Sequence, residues 1–416
     1  MITLNDIFRR YGPAYRAQYS DRLLPSHRAA MAAIEACRTE ALGGHVYTCP
    51  SCATTRYSYH SCKNRQCPTC QQDAAQAWLA RQQDLLLPAP YFLITFTLPP
   101  ALRDLARTHQ RQLYQLLFRA SAAALQQLAH DPRFLGGQIG LLGVLQTWTR
   151  DLRFHPHVHY LVPALALAPD RTLRRPRNPA FLVPSKPLAI LFRAKLGAAL
   201  RQTDLYAQVA PETWQQDWVV DCRAVGSGAA ALKYLAPYIF RVALSNNRII
   251  GIQNDRVTFR YRDGKTKQIR TCTLPALTFI GRFLQHVLPK GFVKVRYYGL
   301  FSRRQRQVLT MLRQQMGVAT SGIAVQSATP PRDSAPAPPV AGICPVCGQP
   351  MQAVVLRPVR SRGPPAIPRE VPLARSVMGT AFAPHVHRSA CAAGAPACSI
   401  GPKEEVAVPE SAVFRP

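Results

Sequence analysis

The sequence predicts an α+β protein in three parts: a helical, cysteine-bearing module over residues 1–88, a domain of alternating strands and helices over 89–316, and a mostly disordered tail over 317–416. Three observations carry this reading. Apolar residues recur at helical spacing on both sides of a cysteine cluster, and the texture turns to β-branched and aromatic runs at Tyr91. Of the 37 prolines, 17 fall in the last 96 residues, where periodicity is lost. A chain of 416 residues has room for two or three domains with sizeable cores, which excludes a small disulfide scaffold.

In chain order, Ser26 to Leu42 reads as a helix and Gln71 to Leu87 as a second one, stopped by Pro88 and Pro90. Tyr91 to Leu98 (YFLITFTL) is a strand by composition, closed by Pro99 and Pro100. A helix is expected from Ala101 to His130, then two apolar strands, Ile139 to Trp148 and His155 to Val162. A proline- and arginine-rich loop from Pro169 to Pro187 leads to a helix at Leu188 to Thr203 and a strand at Trp218 to Ala224. The run AAALKYLAPYIFRVAL is helical in composition, with Pro237 expected to kink or shorten it. Turn dipeptides Asn254-Asp255 and Asp263-Gly264 divide Arg248 to Gln253, Val257 to Tyr261 and Lys267 to Leu274 into a three-stranded meander. Leu277 to Val287 and the basic stretch Arg303 to Met316 read as the last helices, and no repeat of solenoid length is present.

Lysine plus arginine outnumber aspartate plus glutamate by 52 to 21, a net charge of +31 that calls for a polyanionic partner, nucleic acid first. No run of about 18 apolar residues occurs, and Met1 to Arg10 lacks the basic-then-apolar layout of a signal peptide. A cytoplasmic protein without a membrane span is expected. Of the 12 cysteines, five fall between Cys49 and Cys70 in CxxC spacing, which in that reducing compartment points to metal thiolates rather than disulfides.

Cys49-Pro-Ser-Cys52 and Cys67-Pro-Thr-Cys70 are two knuckle-like turns with 14 residues between the inner cysteines, close to the spacing of four-thiolate zinc ribbons. Each tight turn offers two sulfurs, so Cys49, Cys52, Cys67 and Cys70 are the expected ligands of one structural Zn²⁺. Cys62 or His60, inside the loop, could replace one sulfur, and His45 sits just outside it. Lys63 and Arg65, with Arg56 and Tyr57, give the loop cations and an aromatic suited to phosphate contact and base stacking. Cys344-Pro-Val-Cys347 is half a ribbon, and Cys391 and Cys398 are spaced wrongly for a second knuckle, so no metal is assigned there.

In FHPHVHYL, His157 and His159 are two apart, so a strand turns both imidazoles to one face while Val158 enters the core. That pair can chelate one divalent ion, with His155 as a neighbour. The similar pair His385 and His387 lies in the proline-rich tail without strand context and is not expected to be catalytic. Tyr234 and Tyr238 stand at i and i+4, on one helical face, with Lys233 and Arg241 nearby in sequence. A phenol with a reference pKa near 10 is a weak nucleophile until a cation or base favours its anion, and a basic neighbourhood supplies part of that help. A metal-chelating HxH on a strand and a tyrosine pair on a later helix, in a strongly basic chain with a zinc module, are the parts needed to cut single-stranded DNA.

These parts resemble the transposases of the insertion sequence 91 family, two-tyrosine members of the HUH endonuclease class. The resemblance runs from about Pro25 to Ser302 through SCKNRQCPTCQ, PYFLITFTLP, HPHVHYLVP, KYLAPYIFRVALSNNRI and LPKGFVKVRYYG, in the same order. It implies a ferredoxin-like, HUH-type antiparallel sheet for the catalytic domain. It also implies that His157 and His159 hold a catalytic Mg²⁺ or Mn²⁺ and that Tyr234 and Tyr238 are the nucleophiles of a rolling-circle-like reaction on single-stranded transposon-end DNA. A third polar ligand is implied too, for which Gln146 is the first choice and Asp151 the second. Two further readings stay open: a replication initiator or relaxase of HUH type, and a zinc-dependent DNA-binding protein without catalysis. No small-molecule substrate is expected.

Overall fold

Thr3 starts the first helix: its hydroxyl accepts from the Asp6 N–H while the Asp6 carboxylate accepts from the Thr3 N–H, a reciprocal capping box. The computed structural model describes residues 2–70, 72–83, 85–240, 243–264, 266–317 and 342–358, without the side chains at 72–75, 234–238 and 240. After α1 (Leu4–Tyr19) come α2 (Pro25–Ala36), a hairpin of β1 (Gly44–Thr48) and β2 (Thr55–Tyr59), then α3 (Gln72–Gln83) and β3 (Pro90–Thr97). The single helix expected over 101–130 is instead two, α4 (Arg103–Thr108) and α5 (Gln110–His130). The Thr108 hydroxyl turns back onto the Asp104 and Leu105 carbonyls, and His109 leaves helical geometry.

β4 (Gln138–Trp148) and β5 (Phe154–Pro163) form a second hairpin, followed by β6 (Ala166–Leu167), β7 (Leu173–Arg174), α6 (Ser185–Arg201) and β8 (Val220–Ser227). α7 (Gly228–Phe240) runs through Pro237. The expected meander is β9 (Ile249–Gln253), β10 (Arg256–Arg262) and β11 (Ile269–Pro275), turning at Asn254 and Asp255. Both turn residues are left-handed, with φ of 47° and 55°, as a two-residue hairpin loop requires. α8 (Ala276–Leu284), β12 (Val295–Gly299), α9 (Arg306–Gln315) and β13 (Gln352–Leu356) complete the described elements.

The central sheet is antiparallel throughout, in the order β7-β6-β4-β5-β3-β8, with β12 paired to β4. Its long strands follow the succession β3, α5, β4, β5, α6, β8. Alternation along the strands gives each face its own partner. Phe92, Ile94, Phe96, Val158, Tyr160 and Val162 pack under α5 and α6 in the largest core. Tyr91, Leu93, Leu142, Val144 and Leu161 face the other way, joining Trp78 of α3, Ala231 and Leu232 of α7, and Leu309 and Leu312 of α9. Gly143 permits this thickness, because a Cβ there would lie 2.6 Å from the Tyr160 ring.

A separate core holds the meander, α8 and the first two helices, where Phe8 meets Phe283 edge-on at 5.4 Å among Ile34, Val257, Phe259 and Phe279. The tail departs from the expected disorder over residues 342–358, which form a turn and β13. β13 pairs with β1 from Gly44↔Leu356 to Thr48↔Gln352, so its partner lies far back in the chain and its composition alone did not reveal it. No described helix is long and apolar enough to cross a membrane.

Candidate functional site

Register brings Gln146 of β4 directly opposite His157 of β5, and Val144 opposite His159. On the other side of β5, Thr97 and Thr95 of β3 stand opposite the same two histidines. All lie on the sheet face that α7 covers. The His157 and His159 rings are 4.7 Å apart and nearly perpendicular. His157 Nδ1–H donates to the His155 carbonyl at 2.6 Å, which fixes the tautomer and leaves Nε2 with its lone pair. Gln146 is buried; its Nε2 donates to the Trp148 carbonyl at 2.9 Å, while its Oε1 has no hydrogen-bond partner among the described residues. The Thr95 hydroxyl and His159 Nδ1 are 2.9 Å apart. Asp151, the second choice as ligand, is turned to Arg153 at 2.7 Å and to the Thr149 hydroxyl.

Burial keeps these imidazoles neutral. It pushes His157 down to about 4 and His155 down to about 3, the latter helped by His157, and holds His159 well below the usual histidine range. Neutral imidazole is the metal-binding form. Arginines surround the row: Arg103 acts electrostatically on His155 and His157, Arg153 on His155, and Arg223 on His159. The Arg103 Nε is buried without a hydrogen-bond partner among the described residues. Sequence reading missed Arg103, because its only signal is a place at the start of α4, far from the HxH segment.

α7 packs over β3, β4, β5 and β8 and carries Tyr234 and Tyr238 one turn apart in its backbone; their side chains lie outside the description. Lys294 reaches this helix, its Nζ donating to the Ile239 carbonyl at 3.4 Å and standing 4.7 Å from the Trp148 ring centre. Lys233 is exposed on α7, and Arg241 lies outside the described residues, as do His385 and His387. Lys63 is exposed in the cysteine loop. Arg65 donates to the carbonyls of Leu288, Pro289 and Phe292, which makes it a clamp between that loop and the segment before β12.

The cysteines are wired differently from the expected set. Cys49, Cys52, Cys67 and Cys70 do not converge; Cys67 and Cys70 meet Cys37 and Cys62, all four sulfurs lying within 4.8 Å of one another. Sulfur separations of 3.3, 3.6 and 3.7 Å approach the edge of about 3.8 Å that a tetrahedron with Zn–S near 2.3 Å requires, and they are far from a disulfide near 2.05 Å. Cys37 sits at the C-cap of α2, outside any CxxC spacing, so only the docking of α2 on the loop brings it in. Asn5 of α1 adds an N–H toward Cys67 Sγ at 3.8 Å. Hydrogen bonds, first from Cys62, hold Cys67 down to about 5, while the Cys67 hydrogen bond and burial push Cys62 up. Cys49 and Cys52 lie instead against Cys344 and Cys347.

Comparison with known proteins places this geometry in context. Residues 140–308 match the family described as "Putative transposase" (Y2 type), and residues 7–98 match the transposase zinc-binding domain of the IS91 type. The chain is 40% identical over 337 residues to "Putative transposase y4qJ" of Sinorhizobium fredii, covering 76% of this chain and 84% of that protein. It is 28% identical over 304 residues to the transposase for insertion sequence element IS801 of Pseudomonas savastanoi pv. phaseolicola, covering 69% of this chain and 73% of that one.

Proposed function

As this chain belongs to the IS91-type transposases, DNA-processing enzymes with an N-terminal zinc-binding domain, we propose that it nicks and rejoins single-stranded DNA at transposon ends through a 5′-phosphotyrosine intermediate. The observation that carries the reading is the row Gln146, His157 and His159 on the sheet face spanned by the helix of Tyr234 and Tyr238. The order β8-β3-β5-β4, reached through a β-α-β-β-α-β succession, supports a ferredoxin-like, HUH-type domain over 89–316.

The donor set fits a hard divalent cation: Gln146 Oε1, without a hydrogen-bond partner among the described residues, would be an oxygen ligand, and His157 Nε2, a held lone pair, would be a second donor. His159 joins through Nε2 in the tautomer whose Nδ1–H donates to Thr95. When bound, Mg²⁺ or Mn²⁺ polarises the scissile phosphate as a Lewis acid. Arg103 and Arg223 hold the phosphate's remaining charge at the rim of the histidine row. The positive field of Arg103 favours the phenolate over the phenol on α7, while Arg223 is paired with Asp221 and burial pulls Lys294 down to about 7.

The Tyr234 phenolate oxygen forms a bond to phosphorus as the bond to the 3′ oxygen breaks. That oxygen leaves as a 3′-hydroxyl after taking a proton, and the 5′ end stays on tyrosine as a phosphodiester. The ester retains the energy of the cut linkage, so a 3′-hydroxyl can attack it, restore the diester and free the tyrosine without a nucleotide cofactor. Tyr238, one turn on, performs the same step on the second strand. The cysteine module, with Lys63 and Lys233 on exposed surfaces, contributes to DNA recognition. The protein then acts in the cytoplasm, at the nucleoid.

The test is to incubate the protein with single strands carrying the ends of its element and to look for a covalent 5′-phosphotyrosyl adduct. Loss of the adduct in Tyr234→Phe with Tyr238→Phe, and with EDTA, is the expected result. Cleavage that survives both would remove the two-tyrosine mechanism and leave a DNA-binding protein in its place.

A further inference from the structure

We propose that Cys49, Cys52, Cys344 and Cys347 form a second zinc site, a clasp through which the far C-terminal segment completes the N-terminal ribbon. All four sulfurs lie within 4.8 Å of one another, with Cys49 to Cys347 at 3.4 Å and Cys52 to Cys344 at 3.5 Å. Those separations suit four thiolates around one ion with Zn–S near 2.3 Å, and they are too long for disulfides.

The two halves of the site are built alike. In Cys49-Pro-Ser-Cys52-Ala53-Thr54, the Cys49 N–H donates to the Thr54 carbonyl at 2.9 Å, and the Ala53 N–H donates to the Cys49 carbonyl at 3.0 Å. In Cys344-Pro-Val-Cys347-Gly348-Gln349, the Cys344 N–H donates to the Gln349 carbonyl at 2.8 Å, and the Gly348 N–H donates to the Cys344 carbonyl at 2.9 Å. The residue after the second cysteine is left-handed in both, Ala53 at φ 56° and Gly348 at φ 73°. Gly348 adopts that conformation freely, whereas Ala53 does so at an energetic cost, so the first turn is held partly by contacts outside its own sequence. Two such turns facing each other present four sulfurs to one point, as in a ribbon whose knuckles were taken from opposite ends of a chain.

The neighbouring strands explain what the clasp does. A two-stranded hairpin such as β1 with β2 is marginal alone, and β1 would present an open edge. β13 fills that edge along its full length, and Met351 joins Cys49 and Cys344 in a small core beneath the site. Docking a segment that follows α9 in sequence by about 26 residues carries a loop-closure cost that the five residues of β13 must first offset. Coordination by four thiolates supplies the missing free energy. The C-terminal segment is therefore part of the zinc-binding domain, although it lies beyond residue 98, where the match to that domain ends.

Metal analysis of the full-length chain tests this without reference to strand cleavage. Wild type is expected to hold two zinc ions per chain, one for each quartet, in an all-sulfur X-ray absorption shell. The pair Cys344→Ser and Cys347→Ser should lose one ion and keep the other, as should Cys62→Ser with Cys70→Ser. A wild-type chain that holds a single zinc, unchanged by replacing Cys344 and Cys347, would overturn the proposal. Alkylation of wild type gives a measurement that needs no variant to fold. Cys52 and Cys347 are exposed and would react as free thiols without a metal. Protection of Cys344 and Cys347 until a chelator is added, then joint labelling with Cys49 and Cys52, supports the clasp; labelling in the zinc-replete chain refutes it.

Discussion

The two faces of the central sheet are made by the same strands, yet one carries packing side chains under α5 and α6, while the other, covered by α7, also carries a row of buried polar groups. On β5, Val158, Tyr160 and Val162 interlock with α5 and α6, while His157 and His159 alternate with Val158 and Tyr160 in sequence and lie on the opposite side in space. Tyr160 shows how fully the first face is satisfied: its hydroxyl lies 2.9 Å from the Ser121 hydroxyl and donates to the Phe118 carbonyl. Gln146 shows the reverse, a buried oxygen without a hydrogen-bond partner among the described residues. A period of two thus separates packing side chains from the candidate ligands along a single strand, and neighbouring substitutions should fall into different classes.

The largest effect expected is on the histidine face. His157→Ala with His159→Ala should reduce the phosphotyrosyl adduct to background, while zinc content and most DNA affinity stay at wild-type levels, measured by gel assay, metal analysis and binding. Loss of zinc together with activity would show that the two faces and the cysteine quartets are not independent. On the face under α5 and α6, Phe96→Ala removes a ring packed edge-on against Tyr160 at 5.7 Å and Phe192 at 5.1 Å. A loss of about 3–5 kcal/mol in unfolding free energy is expected, and denaturant melts would read it.

The contrast also explains what the sequence revealed. The HxH pair was legible because a strand's alternation is local, and most strands and helices were found from texture alone. The break at Thr108 was hidden, since a hydroxyl bonding back to the chain leaves no trace in hydrophobic spacing. Gln146 needed the register between β4 and β5, which enters the sequence reading only through the family resemblance. The cysteine wiring was misread because local spacing cannot choose among partners: Cys37 arrives with α2, and Cys344 and Cys347 come from a segment whose composition reads as disorder. Arg103 was invisible for the same reason, being a residue of α4 felt at β5 only after folding.

A smaller effect is expected beside the sheet, at His286, a buried imidazole near Thr147 and the rings of Trp148 and Phe154. Burial lowers it to about 4 from an ordinary 6.5. Above pH 6.5 it is neutral whether folded or unfolded and carries no pH-dependent cost. As pH falls from 6.5 toward 4, the unfolded chain takes a proton that the folded chain refuses, so stability is lost over that window by about 2–3 kcal/mol. His27, lowered to about 4 by burial, titrates in the same sense. The readout is therefore the difference between wild type and His286→Gln, which should lose less stability between pH 7 and pH 4.5. Equal losses would assign the acid limb to the other imidazoles.

The smallest effect is the finest probe of the histidine face. Thr95 stands opposite His159 on β3, its hydroxyl 2.9 Å from Nδ1. Thr95→Val keeps the branched shape and the strand preference but removes that hydrogen bond, so packing changes little. The hydroxyl orients the imidazole and favours the tautomer that leaves Nε2 with the lone pair proposed to hold the cation, and losing such an orienting partner costs about tenfold in activity or metal affinity. Nicking should fall by about that factor at low Mn²⁺ and recover as Mn²⁺ is raised, with the melting midpoint near wild type. Thr95→Ser, which restores the hydroxyl, should recover most of the rate. An unchanged rate in Thr95→Val would mean that His159 is positioned by the strand alone, whereas a rate loss matched by an equal loss of stability would place Thr95 with the packing residues.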